Sequence, residues 1–548
     1  MKSVGLFCLF LLLTAILYWP ARQAGFTADY EGYMHAYQTH SFWQMIGSKH
    51  DLSIGTVQPL TQLVYYLAYS IMGTAAIPWW LFVAALHAFA ASLLFRFSRQ
   101  LAQLFSGSRS PWPAFALSLL FLLHPYDSEA LIWKAALQFV LCAIAVFATL
   151  HAYLKYLANP GAANLWRVLL LCLSGFFTLE EFLAVPPALL LLGMAAHQFK
   201  IKSMVSGWKT LIPPLASLLF IPVYFLLHKL ILGRWVGHYG SGVLEQTSLL
   251  QCGSHILQHL ANIALLLRYQ PYHRADYIFQ HLSRPPWTPA CLLLSGVGML
   301  LFLIFYRRIP GLLRWGGLQL WLALLFLLPV SILYFYYLLF NENDRYEYLP
   351  VAFWCAALAG ILFFIFKKYA WLLLLPLLVC ETCFTYGNVI RWKNSARSYR
   401  SLLEDFRWYS NPRVFVLSIP DNYQGTYMFR NVGGASELQD ALWVFLHRKC
   451  KGTIYEVSQY NQCGLNDGIR ATRDSAGLLT VSFRQNGNWF WHDKVGLTSY
   501  STPQYEVQKN EYNIQVHILH PQPGDVLLYP VAGAWMVLGD SLPGGDHP

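Results

Sequence analysis

Long apolar runs with no amphipathic alternation organise most of this chain. They cover 4–19, 77–95, 112–123, 133–150, 167–179, 182–198, 210–232, 287–306, 315–338, 349–366 and 369–385. A helix that is apolar on every face is surrounded by lipid or core rather than water. These runs therefore predict about eleven membrane spans, several shorter than the ~20 residues that a straight crossing needs. Two stretches differ. Residues 58–72 (QPLTQLVYYLAYSIM) are short and tyrosine-rich, and 247–268 are amphipathic with His255, His259 and Arg268. Both read as helices along a membrane surface. After residue 385 the pattern changes again. RVFVLSIP, LLTVSF, NIQVHIL and DVLLYP read as strands between Gly, Asn and Pro turns, and SARSYRSLLEDFRWY as a helix. The expected architecture is an α-helical polytopic membrane domain over 1–385 and an extracytoplasmic α+β or mostly β domain over 386–548.

Composition agrees with the pattern. Of 548 residues, 56% are hydrophobic and 12% charged, against about 25% charged in soluble domains. The charge is distributed by side. With a cytoplasmic N-terminus, alternate loops carry Arg96, Arg99 and Arg109, then Lys155 and Arg167, then Lys200, Lys202 and Lys209, then Arg307, Arg308 and Arg314, then Lys367 and Lys368, and no acid. That is the bias of cytoplasmic loops, so the net charge of +11 calls for no nucleic acid. The first run, after Lys2, reads as an uncleaved signal anchor. Ten cysteines are scattered, most of them in apolar runs. Cys450 and Cys463 lie in the polar C-terminal region, where an oxidising compartment would allow a disulfide.

The other face holds the acids. The first loop, 20–76, contains FTADYEGY with Asp29 and Glu31, either of which suits a general base at a membrane surface. The bland alternative is a solvated loop. LLHPYDSEALIWK places His124, Asp127, Glu129 and Lys134 together; these read as interfacial polar residues or as a substrate site. Asp127 and Glu129 keep a divalent cation as a minority option. In FFTLEEFLAVPPALLLL, Glu180 and Glu181 interrupt an apolar stretch, where acids are expensive and functional by default. A hairpin turn in water is the alternative. NENDRYEYLP offers Arg345, whose planar fork of donors suits phosphate. Its competing partners are Asp344 or a lipid headgroup.

The order of these blocks resembles the GT-C class of membrane glycosyltransferases, and within it TMTC-like and related bacterial members. TADYEGY stands for the acidic loop after the first span. QPLTQL and VAALHAFAASLLF stand for an R-P-L helix and a NLLLHALNALL span. LLHPYDSEALIW stands for LHPVHVEAVAWI, TLEEFLAVPPALLLL for SKE…LPLLLL, and DRYEYLPVAFW for ERYLYLPSIGF. The resemblance covers about residues 20–390. It implies transfer of a sugar from a polyprenyl-phosphate donor to an acceptor hydroxyl of a glycan, lipid or protein. The reaction would run on the extracytoplasmic face of a bacterial inner membrane, with no cofactor required. It implies Asp29 as the base, Arg345 as the donor-phosphate ligand, and Tyr346 and Tyr348 as its walls. Lys134 and Arg268 are further cations for that phosphate. Glu129 and Glu181 fall on acidic positions of the pattern. The chain departs from it with Gln58 for Arg, Glu180 for Lys, and Leu137 and Phe139 for Arg and Asp. A glycolipid transporter or flippase and a non-catalytic scaffold remain the competing readings.

Overall fold

A computed structural model describes residues 3–28, 30–47, 56–199, 207–235, 248–282, 286–306, 308–333, 344–429, 437–475, 477–491, 499–510 and 512–538. Its longest helical run, Asp344–Asp405, has 62 residues. Straight, it would extend about 93 Å, three times the hydrocarbon core of a bilayer. It is not straight. Lys367, with φ 51°, closes helix Tyr348–Phe366, and helix Ala370–Asp405 follows after one 3-10 turn. A single 36-residue helix thus replaces the separate span and helix expected at 369–385 and 395–409. Gly387, which costs about 1 kcal/mol relative to Ala, does not end the helix, and no second proline follows Pro376 within it.

Four more helical stretches are long and apolar enough to cross a membrane: Val4–Ala21, Ala76–Ser106, Lys134–Ala158 and Trp208–Leu232. The pair His273–Leu282 and Trp287–Phe302, bent by 72°, adds a sixth crossing if counted as one span. Helices Trp112–Leu123, Ala162–Phe176 and Gly311–Leu327 are apolar but shorter. The protein is therefore a membrane protein. Among the described residues five helical stretches, or six with that pair, are long and apolar enough to cross a membrane. The two surface-helix stretches form helices Pro59–Met72 and Leu249–Leu265.

The chain divides into two units. The first comprises Met1–Trp19, His40–Gly73 and Ile77–Asn388, and the second Pro20–Thr39, Thr74–Ala76 and Val389–Pro548. Small residues set the packing of the first. A Cβ on Gly360 would lie 3.2 Å from the Cα of Gly316 and 3.0 Å from the Trp315 ring. Helices Gly311–Leu327 and Tyr348–Phe366 thus touch backbone to backbone, as small residues permit between membrane helices. That contact fixes the second helix, whose N-terminus carries the short turn Asp344–Glu347.

The second unit is built on sheets. Strand Arg413–Val416 lies parallel to Thr453–Glu456 on one side and to Val526–Val531 on the other. Ala534–Val537 returns antiparallel beside the latter. An antiparallel sheet orders Ile469–Arg473, Leu479–Phe483, Asn513–Ile518, Tyr505–Lys509 and Tyr500–Ser501. Alternate residues of these strands, Leu479, Val481, Val507, Ile514 and Val516, face one core. Three of the expected strands appear within a residue of their predicted ends, and RVFVLSIP splits at Val416 into two strands, Arg413–Val416 and Ile419–Tyr423. Cys450 and Cys463 are both free thiols. Cys450 is buried in the hydrophobic core, and Cys463 is held near the Asp467 turn by its backbone N–H. A Cys380-x-x-Cys383 spacing that the sequence reading passes over lies on helix Ala370–Asp405, with both thiols free and exposed.

Candidate functional site

The 3-10 turn Asp344–Glu347 is the hub of a buried polar network in the first unit. Asp344 pairs with Arg268, Oδ1 to Nε at 2.5 Å, both side chains almost wholly buried. Arg345 pairs with Glu129 twice. Its guanidinium meets one carboxylate oxygen, and its backbone N–H donates to the other at 2.7 Å. The guanidinium also lies over the rings of Trp133 and Tyr346, at 4.9 and 4.6 Å. Its Nη2 donates to the Tyr346 hydroxyl at 3.1 Å. Glu347 accepts from Asn262 Nδ2 at 2.8 and 3.0 Å and from His259 Nδ1 at 2.9 Å. The alternative of an Asp344–Arg345 pair is not among the ion pairs of the described residues, where Asp344 pairs with Arg268 and Arg345 with Glu129. In a 3-10 turn successive side chains point about 120° apart, so the two neighbours reach different partners.

Local structure explains each partner. Helix Asp127–Ile132 carries Glu129 on its first turn. Burial pushes the Glu129 carboxyl above the usual carboxylate range, and the charge and donors of Arg345 pull it partly back. Lys134 does not join this pair. It is buried, and its ammonium donates to the carbonyls of Leu131 and Ile132 at 3.4 and 3.1 Å. It thus closes the C-terminus of that helix, as lysines do. Arg268 sits in the 3-10 turn Leu267–Tyr269 that ends helix Leu249–Leu265, the helix carrying His259 and Asn262. Burial and the Arg268 charge push the His259 imidazole down to about 3, so it donates as a neutral ring. Tyr126 donates to Asn262 Oδ1 at 2.8 Å and stacks on Tyr269, whose hydroxyl accepts from Asn388.

The remaining expected residues separate into three places. Tyr348 faces away from Arg345: it is fully buried, hydrogen-bonded to His87 at 2.7 Å and packed on Phe121. It therefore anchors the helix bundle. His124 is buried beside Tyr126, and burial pushes its imidazole down to about 3. Asp127 is wholly buried, with the His87 ring 4.0 Å away and no hydrogen-bond partner on either oxygen among the described residues. Among the described residues no three His, Cys, Asp or Glu side chains are grouped to hold a metal ion.

Glu180 and Glu181 form a second polar cluster, on the 3-10 turn Glu180–Ala184. Glu180 accepts from Gln58 Nε2 at 3.4 Å. Glu181 is 3% exposed and neither of its oxygens has a hydrogen-bond partner. Burial and the neighbouring Glu180 charge raise its carboxyl well above the ordinary range, while Arg345 is near enough to lower it. Glu31 lies on helix Tyr30–Thr39 of the second unit. Asp29 lies outside the described residues.

Sequence reasoning missed Asn262, Glu381, Tyr224 and His228. Glu381 is 4% exposed within an apolar helix and within electrostatic reach of Asp127. A lone acid in CETCF, and a Tyr-x-x-x-His pair in VYFLLHKL, were the available signals. No protein-family model matches this chain, and no curated protein matches it.

Proposed function

We propose that this protein is a membrane glycosyltransferase of the GT-C type, transferring a sugar from a polyprenyl phosphate to an acceptor hydroxyl. The observation that carries the reading is the convergence on Arg345. Glu129, 216 residues away in sequence, orients its guanidinium, and Trp133 and Tyr346 hold the plane. Its side chain is 12% exposed, while Arg268, Asp344, Glu129, His259 and Glu347 are at 0–2%. A charge that is fixed before the reaction stabilises a leaving phosphate without reorganisation. In the step, the acceptor oxygen bonds the anomeric carbon as the carbon–oxygen bond to phosphate breaks. The electron pair leaves with the phosphate beside Arg345. The acceptor proton passes to a carboxylate, which we assign to Asp29 from its place in the sequence. The site faces the extracytoplasmic side, opposite the basic loops.

The test uses full-length protein in liposomes with labelled polyprenyl-phosphate hexoses. Asp29→Asn and Arg345→Lys should insert at wild-type levels and lose transfer. Full transfer by both variants would overturn the assignment. One observation favours the competing reading: Glu381 and Asp127 are carboxylates buried among apolar helices, as transporters place them. Translocation of a labelled glycolipid across the same liposomes, without transfer, would establish that reading instead.

A further inference from the structure

The cluster around Glu181 contains polar atoms with no hydrogen-bond partner among the described residues. Besides both Glu181 oxygens, these are the Tyr224 hydroxyl and His228 Nδ1, on residues 2% and 1% exposed. The groups belong together. Gln58 donates to Glu180, and its neighbour Val57 donates its backbone N–H to His228 Nε2 at 3.0 Å. The His228 and Tyr224 rings lie 4.6 Å apart, and Tyr224 is within electrostatic reach of Glu180. Because Nε2 accepts from Val57, the His228 proton sits on Nδ1, a donor with no acceptor among the described residues. Buried polar groups are ordinarily paired, and each exception asks for a partner.

The chemistry of the unpaired set narrows that partner. Two adjacent carboxyl groups offer phosphate no cation and, when ionised, repel it. A metal ion or an ammonium would satisfy the carboxylates but oppose the N–H of His228. Sugar hydroxyls both donate and accept, and so match a carboxyl at Glu181 that accepts and, when protonated, also donates, a donor at His228 and either role at Tyr224. We infer that Glu181, Tyr224 and His228, with Glu180 and Gln58 beside them, form a subsite for the ring hydroxyls of a neutral sugar. Glu181 also lies within electrostatic reach of Arg345, so the sugar would be held next to the group assigned to its phosphate. This inference rests on the proposed glycosyltransferase reading and adds to it the residues that recognise the sugar.

The test measures binding to the purified full chain in detergent. The probes are undecaprenyl phosphate alone and the same lipid phosphate carrying glucose, galactose or mannose. Wild-type protein should bind at least one glycosylated lipid more tightly than the bare one. Glu181→Gln and Tyr224→Phe should each remove about tenfold of that advantage, the loss expected for one hydrogen bond. Both should bind bare undecaprenyl phosphate as the wild type does, which also reports that they are folded. If bare lipid phosphate binds but no hexose adds affinity, or the advantage survives both substitutions, water fills the site and the subsite is refuted while the enzyme reading stands. If neither bare nor glycosylated lipid binds the wild type, the enzyme reading fails and takes the subsite with it.

Discussion

Removing Arg268 should destabilise this protein more than removing its partner Asp344, although both changes break the same ion pair. The reason is the charge count around the hub. Arg268 has Asp344, Glu347 and Glu129 within electrostatic reach, and Asp344 has both Arg268 and Arg345. Three carboxylates therefore face two guanidiniums, one acid in excess. Arg268→Met leaves three acids against one cation, in surroundings where the side chains are at most a few per cent exposed. An uncompensated buried charge costs about 3–5 kcal/mol. Asp344→Asn instead balances the count at two against two. It loses a charged hydrogen-bond partner, a loss at the low end of roughly 1.5–3 kcal/mol. The double variant Arg268→Met with Asp344→Leu restores the wild-type excess of one acid, and should recover part of the loss of Arg268→Met alone. The assay is equilibrium unfolding of the full chain in mixed micelles, with all variants at one detergent composition. The ordering is the readout. An Asp344→Asn variant as unstable as Arg268→Met, or a double variant worse than either single one, would refute the charge count.

Two further outcomes follow from single residues. Glu181 has its carboxyl raised above the ordinary value of 4.5, by burial first and the Glu180 charge second. A raised acid favours the folded state fully below that ordinary value, and the benefit is lost as pH rises through the folded value. Glu181→Gln should therefore melt higher than the wild type at pH 8, with the gap closing at pH 4; an equal gap at both pH values refutes the shift. In the second unit, a Cβ on Gly452 would lie 2.1 Å from the Pro412 carbonyl oxygen and 2.3 Å from that of Asn411. Backbone cannot step aside as a side-chain end can, so Gly452→Ala should cost at least the 1–3 kcal/mol typical of overpacking. Unchanged resistance of the C-terminal fragment to trypsin would refute it.

The fold was legible where the signal is local. Apolar runs marked the helices, and alternation marked Leu479–Phe483 and Asn513–Ile518 as strands, because each pattern is read within one element. The number of crossings was less legible, since an apolar run does not say where a helix bends. The runs at 349–366 and 369–385 do match two helices parted at Lys367, but the second continues to Asp405, well past its apolar part. The site was legible in its parts and illegible in its pairings. Glu129, Arg268, Asp344 and Arg345 all drew attention as charges beside apolar runs, but the sequence favoured neighbours as partners. The pairs formed instead, Glu129–Arg345 and Arg268–Asp344, join elements far apart in the chain. Tyr224 and His228 were hidden for the opposite reason: inside an apolar stretch, two polar rings four residues apart read as core.

The turn at Asp344–Glu347 explains why so much charge is crowded just before a membrane helix. With three residues per turn, side chains three apart lie on one side. Asp344 and Glu347 are such a pair, and Arg268 is within reach of both. Arg345 and Tyr346 take the other directions, one to Glu129 and the other beneath the guanidinium. A slip of one residue would carry the acids away from Arg268 and strand three charges in a buried setting, each costing several kcal/mol. The register of the turn is thus fixed by electrostatics on one side and by the Gly316–Gly360 contact of the following helix on the other. What this rigidity achieves is the placement of one group. Every other ionised side chain at the hub is shut in by a partner, and Arg345 alone keeps a measurable part of its surface open. The hub therefore holds the guanidinium of Arg345 in one place, between Glu129 and the rings of Trp133 and Tyr346.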